Sequence, residues 1–550
     1  MHEETRIPAS FGPLDDAGLN QTPAFGDFDL LAHDRPLQDA LALYGAGTQE
    51  LHRFATTWGR AATFELGRLA NEFVPRLRTV DPAGRRIDRV DFHPAYHELM
   101  TLSMKDGLHC SVWDAAPGQP ATVIRAARIY IASGVEAGHV CPITMTNAAV
   151  ASLRAEPDLL RDLAPKLSSR RYDPRPLPWW EKDSMTIGMG MTERQGGTDV
   201  RANLTRAHNA SDRVEITGHK WFMSAPMCDA FLVLAQAEGG LSCFFVPRYR
   251  PDGSPNALKF LRLKDKLGNR SNASSEVEFL GAFARQVGPA GAGVKTIIEM
   301  VSWTRLDCAV SSAGLMRMGL AHAIHHARHR SVFQRPLFDQ PAMRAVLAEM
   351  ALELEGIVAA AFRLAHAFDR MTANPQEAAY ARLMTPAIKY LACKRAPGFL
   401  YEALECHGGN GYVEELPLAR YYREAPLNAI WEGSGNVMAL DMLRAAVRAP
   451  EATRDVIARL VQTAQAAFDC APLERQLQTL LTPTPDDRHA RRLIEGLGKL
   501  AAVAALVEAR SPFASPYAAA RIWGGSHDHY GAADIAPGTG TALLERAWAV

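Results

Sequence analysis

A chain of 550 residues, 47% hydrophobic and 22% charged, has material for two to four packed domains and is too apolar to be a disordered chain. Sixty basic residues balance sixty acidic ones, which excludes a global field for nucleic acid, so any such binding needs a local patch. No basic start leads into an apolar N-terminal core and no run of eighteen apolar residues occurs, which predicts neither secretory leader nor membrane span; eight scattered cysteines without a CxxC pair predict reduced thiols in the cytoplasm.

Helical patterning leads the chain, across 37–43, 50–69, 94–104 and 145–163, with Pro157 dividing the last run. The string RRYDPRPLPWW at 170–180 places three prolines within five residues, so a regular helix cannot cross it, and a helical domain over 1–182 is expected to end there. Short apolar or alternating runs follow at 214–217, 231–235, 241–246 and 276–280, bounded by Gly, Asn, Asp or Pro, which predicts a middle β domain over 183–285. Helices return across 295–330 (one, or two meeting near Gly314 or Gly319), 342–369, 376–405 and 437–447, a four-helix-bundle-like domain over 286–447. An extension over 448–550 carries helices across 453–468 and 488–509, split by TPTPDD at 482–487. Its 11 basic and 11 acidic residues balance, and its Gly-rich WGGSHDHY at 523–530 is expected to fold back on the body. The predicted class is therefore α+β.

Two strings carry chemistry. GMTERQGGTDV at 190–200 offers the hydroxyls of Thr192 and Thr198 beside Gly196 and Gly197, whose backbone can approach a bulky ligand and turn its amides toward an anion; a surface turn is the plain alternative. GHKWFMSAPMCD at 218–229 sets Trp221, Phe222 and Ser224 close together, as the wall of a dry ring-binding slot or as an ordinary strand entering a turn. On a regular strand Trp221 and Phe222 point in opposite directions, so at most one of them can cover a ring.

MTERQGGTD, GHKWF, the RSVFQRP run from Arg330, HGGNGY and IWEGSGN follow one another between residues 191 and 436 in the order and approximate spacing of the acyl-CoA dehydrogenases. The chain resembles that family over residues 30–445, and within it the AidB-like branch of bacterial alkylation-response flavoproteins. The resemblance implies FAD as cofactor. It implies Thr192 at the flavin pyrimidine with Met191 as a backbone contact, Gly197 as a cofactor-binding residue, Thr198 toward the pyrophosphate, and Phe222 and Ser224 as the ring and hydroxyl residues. Trp221 stands one position out of register, which leaves open which aromatic covers the flavin. Arg330, Phe333 and Gln340 are implied to reach the cofactor of a neighbouring subunit in a homotetramer, with Gln334 where the family has glycine; an arginine fork suits a diphosphate. Gly409 is implied to let the backbone approach the FAD, whereas Glu405 replaces the family's glutamine and should turn away from the phosphates. Ser434 and Asn436 are implied to contact flavin or pyrophosphate.

Dehydrogenating a thioester needs a base for the α proton and an acceptor for the β hydride, here flavin N5. Glu432, between Trp431 and Gly433, suits a carboxylate whose proton affinity is raised by burial; a carboxylate at the start of a helix capped by Ser434 is the plain alternative. Some members of the family carry the base immediately before an arginine on the long helix. Arg305 resembles that arginine, but Thr304 precedes it and cannot act as a base. Glu432 is thus the expected base and Arg305 its organiser. The resemblance implies an acyl thioester as substrate and an electron-transfer flavoprotein as acceptor. The alternative is a DNA-associated protective flavoprotein with residual dehydrogenase activity, contacting duplex DNA through Arg488, Arg491 and Arg492.

His322, His325, His326 and His329 form i, i+4 pairs without an acidic ligand, so hydrogen bonding rather than a metal is expected. Cys406–His407 and the Ser526–His529 cluster lack the geometry of a nucleophile, and no hydrolase is expected of them.

Overall fold

The computed structural model describes residues 20–210, 213–481, 485–523 and 529–548. Its first part is α1 (Arg35–Leu43), α2 (Gln49–Trp58), α3 (Ala61–Glu72), β1 (Arg76–Val80), β2 (Arg86–Asp91), α4 (Pro94–Lys105), α5 (Ala121–Val135), α6 (Val140–Leu153) and α7 (Pro157–Leu167). Pro157 opens α7, where its missing N–H costs nothing. The single helix expected across 50–69 is instead two, because the Gly59 carbonyl turns out to accept the amides of Asp27 and Phe28. The β1–β2 hairpin was not foreseen: its burial is almost wholly on β2, so the alternation is faint.

The middle part is β3 (Ile187–Gly190), β4 (Arg206–Ala210), β5 (Arg213–Ser224), β6 (Ala230–Ala237), β7 (Gly240–Pro247), β8 (Leu258–Leu263) and β9 (Ser274–Val287). The sheet runs β3-β6-β4-β5-β9-β7 and closes on itself through β6–β7, with β8 added along β9. Closure removes most free edges, and the run Ala230–Ala235 is buried throughout, which is why it reads as a continuous apolar string.

Then come α8 (Gly293–His329), β10 (Ser331–Val332), β11 (Arg335–Pro336), α9 (Pro341–Arg370), α10 (Pro375–Glu405), α11 (Gly409–Tyr412), α12 (Leu418–Glu424) and α13 (Gly435–Arg448). Of the two readings of 295–330 the single helix holds: α8 runs 37 residues unbroken and packs on α5, α6, α9 and α10. Its glycines serve packing, since a Cβ on Gly314 would stand 2.1 Å from the Tyr130 carbonyl of α5. A two-pronged ion pair, Arg125 to Asp307 at 2.7 and 2.9 Å, ties α5 to α8 in the core.

The extension is α14 (Pro450–Ala464), α15 (Ala471–Leu477), α16 (Ala490–Glu508), α17 (Ala514–Ala518) and α18 (Pro537–Ala547). It is built onto the bundle: α16 packs on α9, α10 and α13, α18 lies along α9, and Trp548 stacks on His33 with centroids 4.7 Å apart. Glu349 and Glu353 of α9 meet Arg521, and Glu355 meets Arg546, so buried ion pairs fasten the seam. Residues 524–528, with three members of the Ser526–His529 cluster, lie outside the described residues. All eight cysteines are buried and unbridged. Among the described residues no helix is long and apolar enough to cross a membrane.

Candidate functional site

Glu432 sits on the turn leading into α13, and its backbone is left-handed (φ +57°), as is that of Gly433 (φ +107°). For a non-glycine residue this conformation costs of order 1–3 kcal/mol and persists only where the surroundings impose it. Here they do. The fully buried Lys389 of α10 donates its ammonium to the carbonyls on both sides, Trp431 O at 2.7 Å and Gly433 O at 2.6 Å. The Trp431 indole donates to Asn428 (2.8 Å), and Arg305 Nε donates to the carbonyl of Glu432 itself (2.9 Å). Arg305 also pairs with Asp441, which Arg382 holds from its other oxygen. The arginine therefore holds Glu432 through its main chain and makes no bond to its carboxylate.

That carboxylate accepts one hydrogen bond, from Thr304 Oγ1 at 2.8 Å. Burial raises its proton affinity above the ordinary glutamate value; the Thr304 hydroxyl, Lys389 and Arg305 pull the other way without cancelling the rise. The plain alternative, a carboxylate at a capped helix start, does not describe it. Ser434 is the N-cap residue of α13, but its hydroxyl makes no cap bond and stays exposed.

The loop after β3 faces the same region. Gly197 lies so close to Thr192 that a Cβ on it would stand 2.4 Å from Thr192 Oγ1. The carbonyl of Met191 accepts from Asn203 and that of Thr192 from the Trp221 amide, so the loop is fixed to β5. Beneath it Glu193 and Lys220 form a fully buried ion pair at 2.7 Å, a support that the sequence reading passed over. Its signal was there, in two charged residues inside otherwise ligand-facing strings.

Trp221 and Phe222 correct an expectation. The β5–β9 register slips between Lys220 and Met223, so this stretch is bulged and strict alternation fails. Both rings face one cation: Lys264 Nζ lies 3.4 Å from the Trp221 centroid and 4.7 Å from that of Phe222. Trp221 also lies under Arg194 and Arg262, whereas Phe222 is 49% exposed and available to a ligand.

A cavity of about 860 Å³ opens between this loop and the bundle. Thr198 and Arg201 line one side, and α8, α9, α10 and α13 the others. Its wall is apolar at Val294, Ile298, Trp303, Phe368 and Met371, and six cations there face three carboxylates. Thr198 and Arg305 share it, which joins the loop to the arginine that holds Glu432.

The remaining sequence-derived residues gather elsewhere. Arg330 ends α8, and Thr304 precedes it by 26 residues on that helix, which is about 39 Å at 1.5 Å per residue. Phe333 and Gln334, both with positive φ, form the two-residue tip of the β10–β11 hairpin, and Phe333 is 92% exposed. Gln340 holds that hairpin by donating to Val332 O (3.1 Å). Nearby, His407 stacks on His326 (4.5 Å) just before Gly408 and Gly409, while Glu405 is exposed. His326 bonds Thr22, and His325 the Pro23 carbonyl. Of the extension's arginines, Arg488 is engaged by Asp486, and Arg491 Nε donates to Asn436 Oδ1 at 2.7 Å.

With this geometry in view, residues 20–174 match the Adaptive response protein AidB N-terminal domain, 188–281 the acyl-CoA dehydrogenase middle domain and 291–447 the acyl-CoA dehydrogenase C-terminal domain. AidB of Escherichia coli (strain K12), an acyl-CoA dehydrogenase by provisional name, is 50% identical over 430 residues, 78% of this chain and 79% of its own. The chain belongs to the acyl-CoA dehydrogenase family. Its N-terminal match places it with AidB, and the family makes it a flavoprotein oxidoreductase with FAD as cofactor. Acyl-CoA dehydrogenase family member 11 of Caenorhabditis elegans is 31% identical over 400 residues, 69% of this chain and 63% of its own. The solved ACDH-11 of that organism, in complex with C11-CoA, superposes with a TM-score of 0.80 at 25% identity, covering 99% of this chain and 95% of its own. The residues present fit an FAD: a loop without side-chain bulk at Gly196 and Gly197, exposed hydroxyls at Thr198 and Ser434, and an exposed aromatic at Phe222.

Proposed function

We propose that this protein dehydrogenates an acyl-CoA thioester, with Glu432 removing the α proton. FAD, when bound, supplies the acceptor for the β hydride. The observation that carries the reading is Glu432 itself, a carboxylate of raised proton affinity held in a strained turn, with all neighbouring cations committed to main chain or to Asp441. Such a group binds a proton taken from carbon more readily than an exposed glutamate does. Thr304 follows the proton. Its hydroxyl lies 2.8 Å from Glu432 and 3.0 Å from Val301 O, so it can donate to the ionised acid and swing to Val301 once the acid is protonated. The cavity supports the substrate class, because apolar wall suits an acyl chain and Arg382, Arg444 and Arg448 suit the phosphates of CoA. Met191, Thr192, Gly197, Thr198, Phe222, Ser224, Ser434 and Asn436 are proposed to hold the flavin half.

Arg330 stands about 39 Å along α8 from Thr304, and Phe333 and Gln340 follow it in the next hairpin, which supports an assembly, proposed as a homotetramer, in which they and Gly409 serve a neighbour's FAD. The nearly bare ring of Phe333 is what such an interface would cover. An electron-transfer flavoprotein is the proposed electron acceptor. Duplex DNA as a partner of the extension is the second reading, and it has less to draw on because Arg488 and Arg491 are already engaged within the chain.

Anaerobic addition of a panel of acyl-CoAs should bleach the oxidised flavin band. Glu432→Gln should slow bleaching by on the order of 10²–10⁴-fold, the range for a lost general base, while retaining FAD. No bleaching and no charge-transfer band across the panel would refute the dehydrogenase.

A further inference from the structure

Lys266, on the loop between β8 and β9, belongs to none of the motifs above. Its ammonium donates to the Asn272 carbonyl and, at 3.2 Å, to Ser274 Oγ. Ser274 Oγ is in turn 3.3 Å from Ser224 Oγ. A lysine, a serine and the hydroxyl read as a flavin contact thus form one short chain.

No carboxylate among the described residues comes within ion-pair range of this ammonium. The charged or titratable groups that face it are Cys141 from α6, Glu424 from α12 and Glu136 from the end of α5. Both glutamates are committed: Glu424 to the Asn269 amide and side chain, Glu136 to His139, Gly138, Asn71 and Ser271. Burial pushes the lysine down to about 8. The Cys141 thiol responds to both Lys266 and Glu432, and lies beside Ser224 and Asn272, so the lysine and the base share one neighbourhood. A half-buried cation without an ion-paired carboxylate is costly, and its neighbourhood is one an anion would stabilise.

We propose that Lys266, acting through Ser274 on the Ser224 hydroxyl, is a positioning residue that raises the reduction potential of the bound flavin. Taking up two electrons and one proton leaves a flavin with net negative charge, and a nearby ammonium favours that form over the neutral oxidised one. The inference rests on the reading of Ser224 as a flavin contact and does not require any acyl substrate.

The test uses the FAD-loaded full-length protein, reduced chemically at equilibrium with a redox dye of known potential. Lys266→Gln should shift the reduced-to-oxidised ratio at fixed potential at least tenfold toward oxidised flavin, about 30 mV for a two-electron couple. Lys266→Arg should restore most of the shift, and Ser274→Ala should give part of it. The difference between wild type and Lys266→Gln should shrink as pH rises through about 8. An unchanged ratio in flavin-loaded Lys266→Gln would overturn the proposal, leaving the lysine as a clamp on the Asn272 carbonyl. Should that variant lose FAD, Ser274→Ala decides, because it keeps both lysine and clamp; an unchanged potential there overturns the proposal too. Ser224→Ala with unaltered flavin spectrum and affinity would remove its premise, while absence of acyl-CoA turnover would leave this measurement standing.

Discussion

Thr304 Oγ1 donates to Glu432 Oε2 at 2.8 Å, so two positions 128 residues apart, the two that the sequence reading weighed for a base, meet at one point. Only one of them holds a carboxylate, and the other has become its hydrogen-bond donor. A hydroxyl that donates to an ionised acid stabilises the ionised form.

Thr304→Val removes that donor and keeps the shape. The raised proton affinity of Glu432, owed first to burial, then loses one of the interactions opposing it and climbs further. The base must be ionised to act, so the acidic limb of kcat/KM against pH should move to higher pH, with little change on the plateau above it. A limb that stays in place or moves downward would show that the hydroxyl does not bear on the base.

Lys389→Met should loosen the turn that carries Glu432. Two half-buried carbonyls lose their donor, at about 1 kcal/mol each, and only the Arg305 bond to the Glu432 carbonyl and the Trp431–Asn428 bond then oppose relaxation of the left-handed backbone. Lower Tm and at least a tenfold fall in the rate of flavin bleaching by acyl-CoA are expected. Glu432→Gly, which relieves the strain, should abolish bleaching without lowering Tm. Calorimetry and stopped-flow absorbance of the two variants separate the clamp from the base.

Gly197→Ala places a methyl 2.4 Å from the Thr192 hydroxyl, and the loop is tied to β5, so Thr192 must move. A displaced hydrogen bond of about 1.5 kcal/mol corresponds to roughly tenfold in affinity. Fluorescence titration of the apoprotein with FAD should show that loss, with Tm of the apoprotein nearly unchanged; wild-type affinity would exclude the loop from the cofactor site.

Arg491→Ala frees the Asn436 carboxamide, whose oxygen the guanidinium now holds so that its NH₂ group faces away. FAD affinity should fall a few-fold, although the residue belongs to the extension. Arg488→Ala, whose partner Asp486 lies in the same turn, should leave it unchanged. Equal effects of the two substitutions would show that the extension does not reach the cofactor site through Arg491.

The sequence by itself determined the order of helices, β part, bundle and extension, because burial imposes a period on each and prolines punctuate them. It also singled out Glu432 and the glycine loop as candidates, because ligand-facing backbone needs residues without bulk at set spacings. Its errors came where long-range contacts override local pattern: Gly59 breaks a helix to bond residues 27 and 28, and a bulge turns Trp221 and Phe222 to one cation. Lys389 was invisible for a related reason, since a lysine in a string is a surface residue until the fold removes its water. Only the tertiary structure decided that Thr304 donates to Glu432, and that Lys389 and Arg305 hold the turn between them. Distances between segments remote in sequence are set by packing, and no spacing along the chain encodes them.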